Sequence, residues 1–415
     1  RESTSGVHVM LHQIDGYVHP RFRDVQRVFA DNFQIRGELG ASFCVWHKGE
    51  KVVDFWGGDA DIEGTRPWKP DHLTTIFSVT KGLVATCFLM LADRGEITYD
   101  DPIARYWPEL AEGPENEPHR ERRRALTIAQ LLQHRSGLLG FKEDLSLETL
   151  GDESTLIQRL ESEPLRWSPG TRQGYHGVSY GLYAGALFKK ITGVTLGTFL
   201  RREIAQPLNA DVYLGLTPDE EERLSDQLCP IFPNQLRDIL FGVLPHALGR
   251  KTLEGKFYRR VLRKSSDAAY AFGQPSGLGA RGLHRFNDPA VKRLELPWAN
   301  AQSSARGLAK IYQGLLIPDQ LVSAQALEWI KPVASWSDLD AVLPKPLGFT
   351  LGFMKEEPQI FSPSRESFCH PGAGGALGLA DPKRQIALGY VMNRMGYHVR
   401  SPRATALCHS VYQCL

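Results

Sequence analysis

The chain has 415 residues, 42% hydrophobic and 23% charged, with a formal net charge of +2. Those values are ordinary for a globular protein. The near-neutral charge predicts no nucleic-acid partner, and no stretch approaches the roughly 18 apolar residues of a membrane span. Six scattered cysteines (Cys44, Cys87, Cys229, Cys369, Cys408, Cys414) form no Cys-x-x-Cys pair, so no metal and no cofactor is expected. The N-terminal Arg1-Glu2-Ser3-Thr4-Ser5-Gly6 has no apolar signal core. This sets an expectation of a cytoplasmic location, with removal of an earlier segment left open.

From the N-terminus, Phe22, Val25, Val28, Phe29 and Phe33 recur at helical spacing, which predicts an amphipathic helix over residues 20–36 packed on a flat surface. Two β-rich runs over 40–58 flank Lys48-Gly49-Glu50, a hairpin signature. An apolar helix follows Ser78, with Gly95 as its C-cap. Thr127 is a candidate N-cap for Ile128–Leu132, and His134 ends that unit as a histidine holding a loop. A turn-rich segment, 167–177, leads into a helix over 179–192.

Residues 230–270 pair an apolar segment (Ile239, Leu240, Phe241, Val243, Leu244) with a basic one (Arg250 to Lys264). We read it as a lid-like insertion over a site; membrane contact through it is the less favoured reading. Ser303 or Ser304 caps a helix. Three β-rich runs, 347–354, 369–382 and 386–392, predict an antiparallel sheet covered by a C-terminal helix over 404–412. Pro371 cannot donate to a ladder and predicts an edge strand. Strands at both ends and helices between predict an α/β (α+β) fold. One sheet domain is built from residues 1–76 and 295–415, with a mostly helical subdomain, 77–294, inserted.

Two serines compete as nucleophile. Ser78 precedes Lys81 by three residues, which places both on one helix face about a turn apart. A desolvated lysine there is one way to take a hydroxyl proton. S-x-x-K alone arises by chance about once or twice in a chain of this size, so its weight depends on partners. Gly177-Val178-Ser179-Tyr180-Gly181 fits the nucleophile elbow G-x-S-x-G, but that motif needs a strand entering the turn, and no apolar strand precedes it. Tyr175, at the end of an irregular loop, is a candidate base as tyrosinate, its pKa lowered by Lys81. His370-Pro371-Gly372 opens a strand that runs into glycines, where substrate can approach the backbone.

Ser78-x-x-Lys81, Tyr175 and His370-x-Gly372, in that order, resemble the serine β-lactamase and penicillin-binding-protein superfamily. Leu131-Leu132-Gln133-His134-Arg135-Ser136-Gly137-Leu138, Trp167-Ser168-Pro169-Gly170 and His370-Pro371-Gly372-Ala373-Gly374-Gly375 strengthen the resemblance. It is greatest to the class C β-lactamase-like family VIII carboxylesterases. It implies a β-lactamase-like fold and Ser78 as acylated nucleophile, with Lys81 and Tyr175 as the base system. It further implies an oxyanion hole made by the backbone N–H groups of Ser78 and Ala373.

Two departures bear on substrate. The β-lactamases have asparagine two positions after the tyrosine, where this chain has Gly177. They also have a lysine opening the last motif, where this chain has His370, neutral at pH 7 unless perturbed. Both losses remove recognition of an amide-bearing, anionic substrate. The expectation is therefore a serine carboxylesterase acting on a small-molecule ester, with His370, Gly372 and His176 as substrate-contacting candidates. The alternatives are an acyltransferase or a β-lactamase or D-amino-acid peptidase on the same site, or a non-catalytic scaffold. Nothing in the sequence sets the oligomeric state.

Overall fold

The computed structural model describes residues 14–233, 244–249, 251–279 and 282–415. A nine-stranded sheet is its spine, in the order β1-β3-β2-β12-β11-β10-β9-β8-β7. The first three are β1 (Ile14–Val18), β2 (Gly40–His47) and β3 (Glu50–Gly58). The C-terminal part supplies β7 (Ser335–Ser337), β8 (Leu347–Phe349), β9 (Met354–Lys355), β10 (Phe368–Pro371), β11 (Leu377–Asp381) and β12 (Ile386–Met392). Each neighbouring pair is antiparallel. The two ends of the chain meet where Ile386–Met392 of β12 pairs with Ala41–His47 of β2. A second, small sheet joins β4 (Thr74–Thr75), β5 (Val212–Tyr213) and β6 (Gln302–Ser303) in the order β4-β6-β5.

Helices cover both faces of the large sheet. On one face lie Phe43, Phe55 and Tyr390, cross-strand neighbours in register. Phe29 of the helix Arg23–Ile35 stacks on Phe55 with ring centroids 5.7 Å apart. The C-terminal helix Pro402–Gln413 packs beside it, and its Arg403 binds the buried Glu38, which also accepts from Tyr390. On the other face the helix Ala305–Leu316 lies against β11 and β12. Two glycines permit that approach. A Cβ on Gly378 would come within 2.2 Å of the Tyr312 ring, and one on Gly389 within 2.5 Å of the Ala305 carbonyl.

The hairpin over 40–58 forms as expected, its two-residue turn held by positive φ at Lys48 (52°) and Gly49 (82°), the geometry that matches strand twist. Thr127 caps Ile128–Leu132 in a capping box with Gln130. Ser304, not Ser303, caps the helix at 305, since Ser303 belongs to β6.

Other expectations need correction. The run 347–354 is two strands, because Gly352 turns the chain at φ 98°. The run 369–382 is also two, β10 and β11, folded back at Gly374 and Gly375. Strand β10 is interior, not an edge. Its pairing with β9 ends at Cys369, and ladder alternation points the Pro371 nitrogen away from β11. The missing donor thus falls past the end of β9.

Between the sheet-forming segments the chain is mostly helical. The helix Val79–Asp93 is buried on all sides over residues 79–92, as expected for a helix inside a core. It packs against β10 and the helix Ser179–Thr192. Among the described residues no helix is long and apolar enough to cross a membrane. Of the unusual stretch 230–270, Ile239, Leu240, Phe241, Val243 and Arg250 lie outside the described residues; its helix Leu253–Leu262 is described.

Candidate active site

Ser78 stands immediately before the helix Val79–Asp93, as its N-cap residue, and makes no side-chain capping bond. Its hydroxyl is therefore free to face other groups. The preceding residue, Phe77, has φ 44°, a left-handed conformation that costs free energy in a bulky residue. Burial of its ring against Phe286, centroids 5.1 Å apart, offsets that cost and fixes the turn.

Lys81 Nζ lies 3.1 Å from Ser78 Oγ, 2.9 Å from the Gly177 carbonyl oxygen and 3.0 Å from the Trp298 carbonyl oxygen. The residue is fully buried, and desolvation holds its amine well below the ordinary lysine range. A neutral amine has two N–H donors and one lone pair. The two carbonyls can accept only, so a neutral amine spends both donors on them and has its lone pair free for the Ser78 O–H, whereas an ammonium would donate to Ser78 Oγ as well.

Tyr175 completes the group. It lines the same cavity as Ser78, and Ser78 stands near enough to its hydroxyl to act on its titration. The loop carrying it is tied to Asp340, whose Oδ1 accepts the N–H groups of Tyr175 (3.0 Å), Val342 (2.9 Å) and Leu343 (3.0 Å). Its Oδ2 accepts from Gln173 Nε2 at 3.1 Å. His134 clamps the loop from the other side. Its carbonyl accepts the Gly174 N–H at 3.1 Å and its Nδ1 the His176 N–H at 2.9 Å. Its ring stacks between Tyr175 (4.9 Å, 29°) and Tyr180 (4.7 Å, 20°).

The expected lowering of the Tyr175 pKa is opposed by its burial. Burial pushes its phenol above the ordinary tyrosine range. Lys81 Nζ sits 5.1 Å from the ring centroid, and among the described residues no hydrogen bond joins it to the hydroxyl. Burial disfavours the charged form of both groups, the tyrosinate and the lysine ammonium alike.

Asp340 was not legible as a site residue, yet it holds the Tyr175 loop. Asp340→Ala leaves buried N–H groups without acceptors, at about 1–3 kcal/mol each. We expect it to lower stability by about 3 kcal/mol and kcat by about 10- to 100-fold. Asp340→Asn, which keeps an oxygen at Oδ1, should lose less of both. Urea unfolding together with kcat for the two variants checks this.

No acceptor among the described residues takes the N–H of Ser78 or of Ala373. Gly372 makes their approach close: a Cβ there would lie 2.3 Å from the Ile76 carbonyl oxygen. Ser78, Tyr175, Gly372 and Ala373 share the wall of one cavity of about 450 Å³. Its remaining wall is largely apolar, with Phe257, Phe272, Leu283, Leu343 and Met354. Lys345 also lines it, but burial pushes its amine down to about 7 and it is paired with Glu356, which Arg400 binds at 3.0 Å. Phe257 and Tyr258 of the helix Leu253–Leu262 reach this wall from the segment read as lid-like.

Two expected substrate contacts are placed elsewhere. His370 and His176 are fully buried and neither lines the cavity. His370 Nδ1 donates to the Pro371 carbonyl at 2.9 Å, which leaves Nε2 without a partner among the described residues. Burial above all pushes its pKa down to about 3, so it is neutral. His176 donates from Nδ1 to the Gly174 carbonyl (2.6 Å) and meets Ser136 Oγ at Nε2 (2.9 Å). It braces the Tyr175 loop. Ser179 is fully buried at the first turn of its helix, its hydroxyl donating to the Leu138 carbonyl at 2.6 Å. The chain entering it is irregular, so it lacks the strand-turn-helix context of an elbow.

Comparison with known proteins matches residues 25–412 to the Beta-lactamase family model. The chain belongs to the beta-lactamase family. Over 392 residues it is 28% identical to "Esterase/beta-lactamase LipL" of Mycobacterium tuberculosis, covering 92% of this chain and 83% of that protein. Among solved structures it resembles a family VIII carboxylesterase, with 31% identity and a TM-score of 0.81 over 97% of this chain and 100% of the other. It is equally similar to a penicillin-binding protein homolog from Caulobacter crescentus, with 30% identity, a TM-score of 0.81 and the same coverage. Its fold is thus the β-lactamase-like one, and its superfamily is that of the serine-hydrolase-like esterases and β-lactamases. Membership spans esterases, β-lactamases and penicillin-binding homologues, so it leaves the substrate to the residues of the site.

Proposed function

We propose that the chain is a serine carboxylesterase that cleaves small carboxylic esters through an acyl-Ser78 intermediate. The observation that carries this reading is Lys81. It is buried, has two N–H donors spent on the Gly177 and Trp298 carbonyls, and lies 3.1 Å from Ser78 Oγ. In acylation the Ser78 proton passes to Lys81 Nζ and Oγ bonds the ester carbonyl carbon. The resulting oxyanion is held by the N–H groups of Ser78 and Ala373. The C–O bond to the alcohol then breaks, and the alcohol leaves with the proton that Lys81 Nζ took from Ser78, the Tyr175 phenol lining the cavity beside it. Water reverses the sequence: its proton passes to the Lys81 amine, its oxygen bonds the acyl carbon, and Ser78 regains its proton as the acid departs.

Selection of esters over β-lactams rests on the two departures. Residue 177 has no side chain to bind an amide, and His370 is neutral, buried and outside the cavity wall, so position 370 offers a carboxylate no cation. An ester needs less from the site because its alcohol leaves readily. We expect 4-nitrophenyl butyrate to be cleaved with a burst of nitrophenol, and nitrocefin to be turned over with kcat/KM lower by at least about 100-fold. Comparable kcat/KM for the two would overturn the preference for esters.

A further inference from the structure

Gly177 is constrained from two sides. Its carbonyl accepts from Lys81 Nζ at 2.9 Å. A Cβ built on it would lie 2.4 Å from Cε1 and 2.6 Å from Cδ1 of Phe272, and 3.0 Å from the Ala271 carbonyl oxygen. Real Cβ atoms do not approach rings so closely, so Phe272 fills the space any side chain at 177 would enter. The ring is well held. It closes the helix Asp267–Phe272, packs edge-on against Phe257 (5.7 Å, 90°) and lies tilted against Tyr175 (6.2 Å, 36°). Phe257, Phe272 and Tyr175 therefore form a continuous aromatic wall beside Ser78, and all three line the cavity.

We infer that Phe272 is a specificity-determining residue, selecting esters with an apolar group beside the carbonyl that Ser78 attacks and rejecting those with an amide there. The inference rests on the esterase reading proposed above and goes beyond it by naming the residue that chooses the acyl group. An apolar group gains contact with the ring. An amide placed there is desolvated without a partner, because the ring offers none and Gly177 has no side chain. Gly177 and Phe272 are thus one device: glycine at 177 makes room for the ring, and the ring sets the chemistry of the wall.

The test uses two 4-nitrophenyl esters with acyl chains of matched length, pentanoate and N-acetylglycinate. Their kcat/KM values are corrected for spontaneous hydrolysis in wild type, Phe272→Ala, Gly177→Asn and the double variant. Wild type should favour pentanoate by about tenfold or more, and Phe272→Ala should shrink that ratio at least about fivefold. Gly177→Asn should lower kcat/KM for both esters by about tenfold or more, and adding Phe272→Ala should recover at least about fivefold of that loss. If Phe272→Ala does not fold, Phe272→Leu carries the ratio measurement. An unchanged ratio, or a double variant no better than Gly177→Asn alone, overturns the inference while leaving the esterase reading in place. Hydrolysis of neither ester by wild type overturns both.

Discussion

Ser78→Ala should abolish ester turnover, by about 10⁴-fold or more, and leave the fold intact. The size follows from what is removed. Without Oγ there is no atom to bond the acyl carbon, and the remaining N–H donors and cavity supply binding and polarisation alone. The fold should survive because Ser78 makes no capping bond, so alanine deletes a hydroxyl facing a cavity rather than a structural contact. The same edit at Ser179 should do the reverse. Its hydroxyl is buried and donates to Leu138, so Ser179→Ala loses about 1 kcal/mol of stability and keeps turnover within about twofold. Steady-state kinetics and thermal melting of both variants decide between the serines. Retained activity in Ser78→Ala, with loss in Ser179→Ala, would move the nucleophile to the elbow-like motif.

The second large effect is at Lys81. Lys81→Arg should cost about 10³-fold in kcat, within the range of a lost general base. In the proposed mechanism lysine serves because burial lowers its pKa, which favours the neutral amine at a pH where a free lysine is protonated. Arginine keeps its proton throughout. The groups around Lys81 reinforce the direction: His134, His176 and His370 are buried and themselves shifted down, and burial pushes Tyr175 up, so none of these supplies an anion at neutral pH to stabilise the ammonium.

The sign for activity follows. As pH rises through the lowered Lys81 pKa, the amine loses its proton and kcat/KM rises. As pH falls below it, the amine is charged and activity disappears. The acid limb of wild type therefore lies well below pH 10, and Lys81→Arg shows no such limb. An acid limb at the ordinary lysine position, or substantial activity in Lys81→Arg, would contradict a neutral Lys81 as base.

How much of this was legible in sequence depended on how local each feature is. Ser78 and Lys81 are three residues apart on one helix, so spacing alone brought them together. The 40–58 hairpin and the Thr127 cap were readable for the same reason. The sheet built from both chain ends was readable because β-rich runs cluster there.

What failed depends on contacts far apart in sequence. Asp340 reaches Tyr175 across 165 positions, and nothing near Asp340 marks it as an organiser of that loop. Phe272 meets Gly177 only because a separate helix folds onto the cavity. Pro371 suggested an edge, and its place inside the sheet depends on where the short strand β9 stops. His370 and His176 carry functional chemistry in principle, but burial and local carbonyl partners turn both inward, which spacing does not reveal.

The central claim is that an acyl group is carried on Ser78, and the most direct measurement is intact mass. The protein is quenched in acid during turnover of an ester whose acyl-enzyme hydrolyses slowly, then digested and mapped. An acyl-Ser78 intermediate gives a mass increase equal to one acyl group less one hydrogen, located on the peptide containing Ser78 and absent from Ser78→Ala. An adduct on the peptide containing Ser179, or turnover with no adduct on any serine, would contradict it.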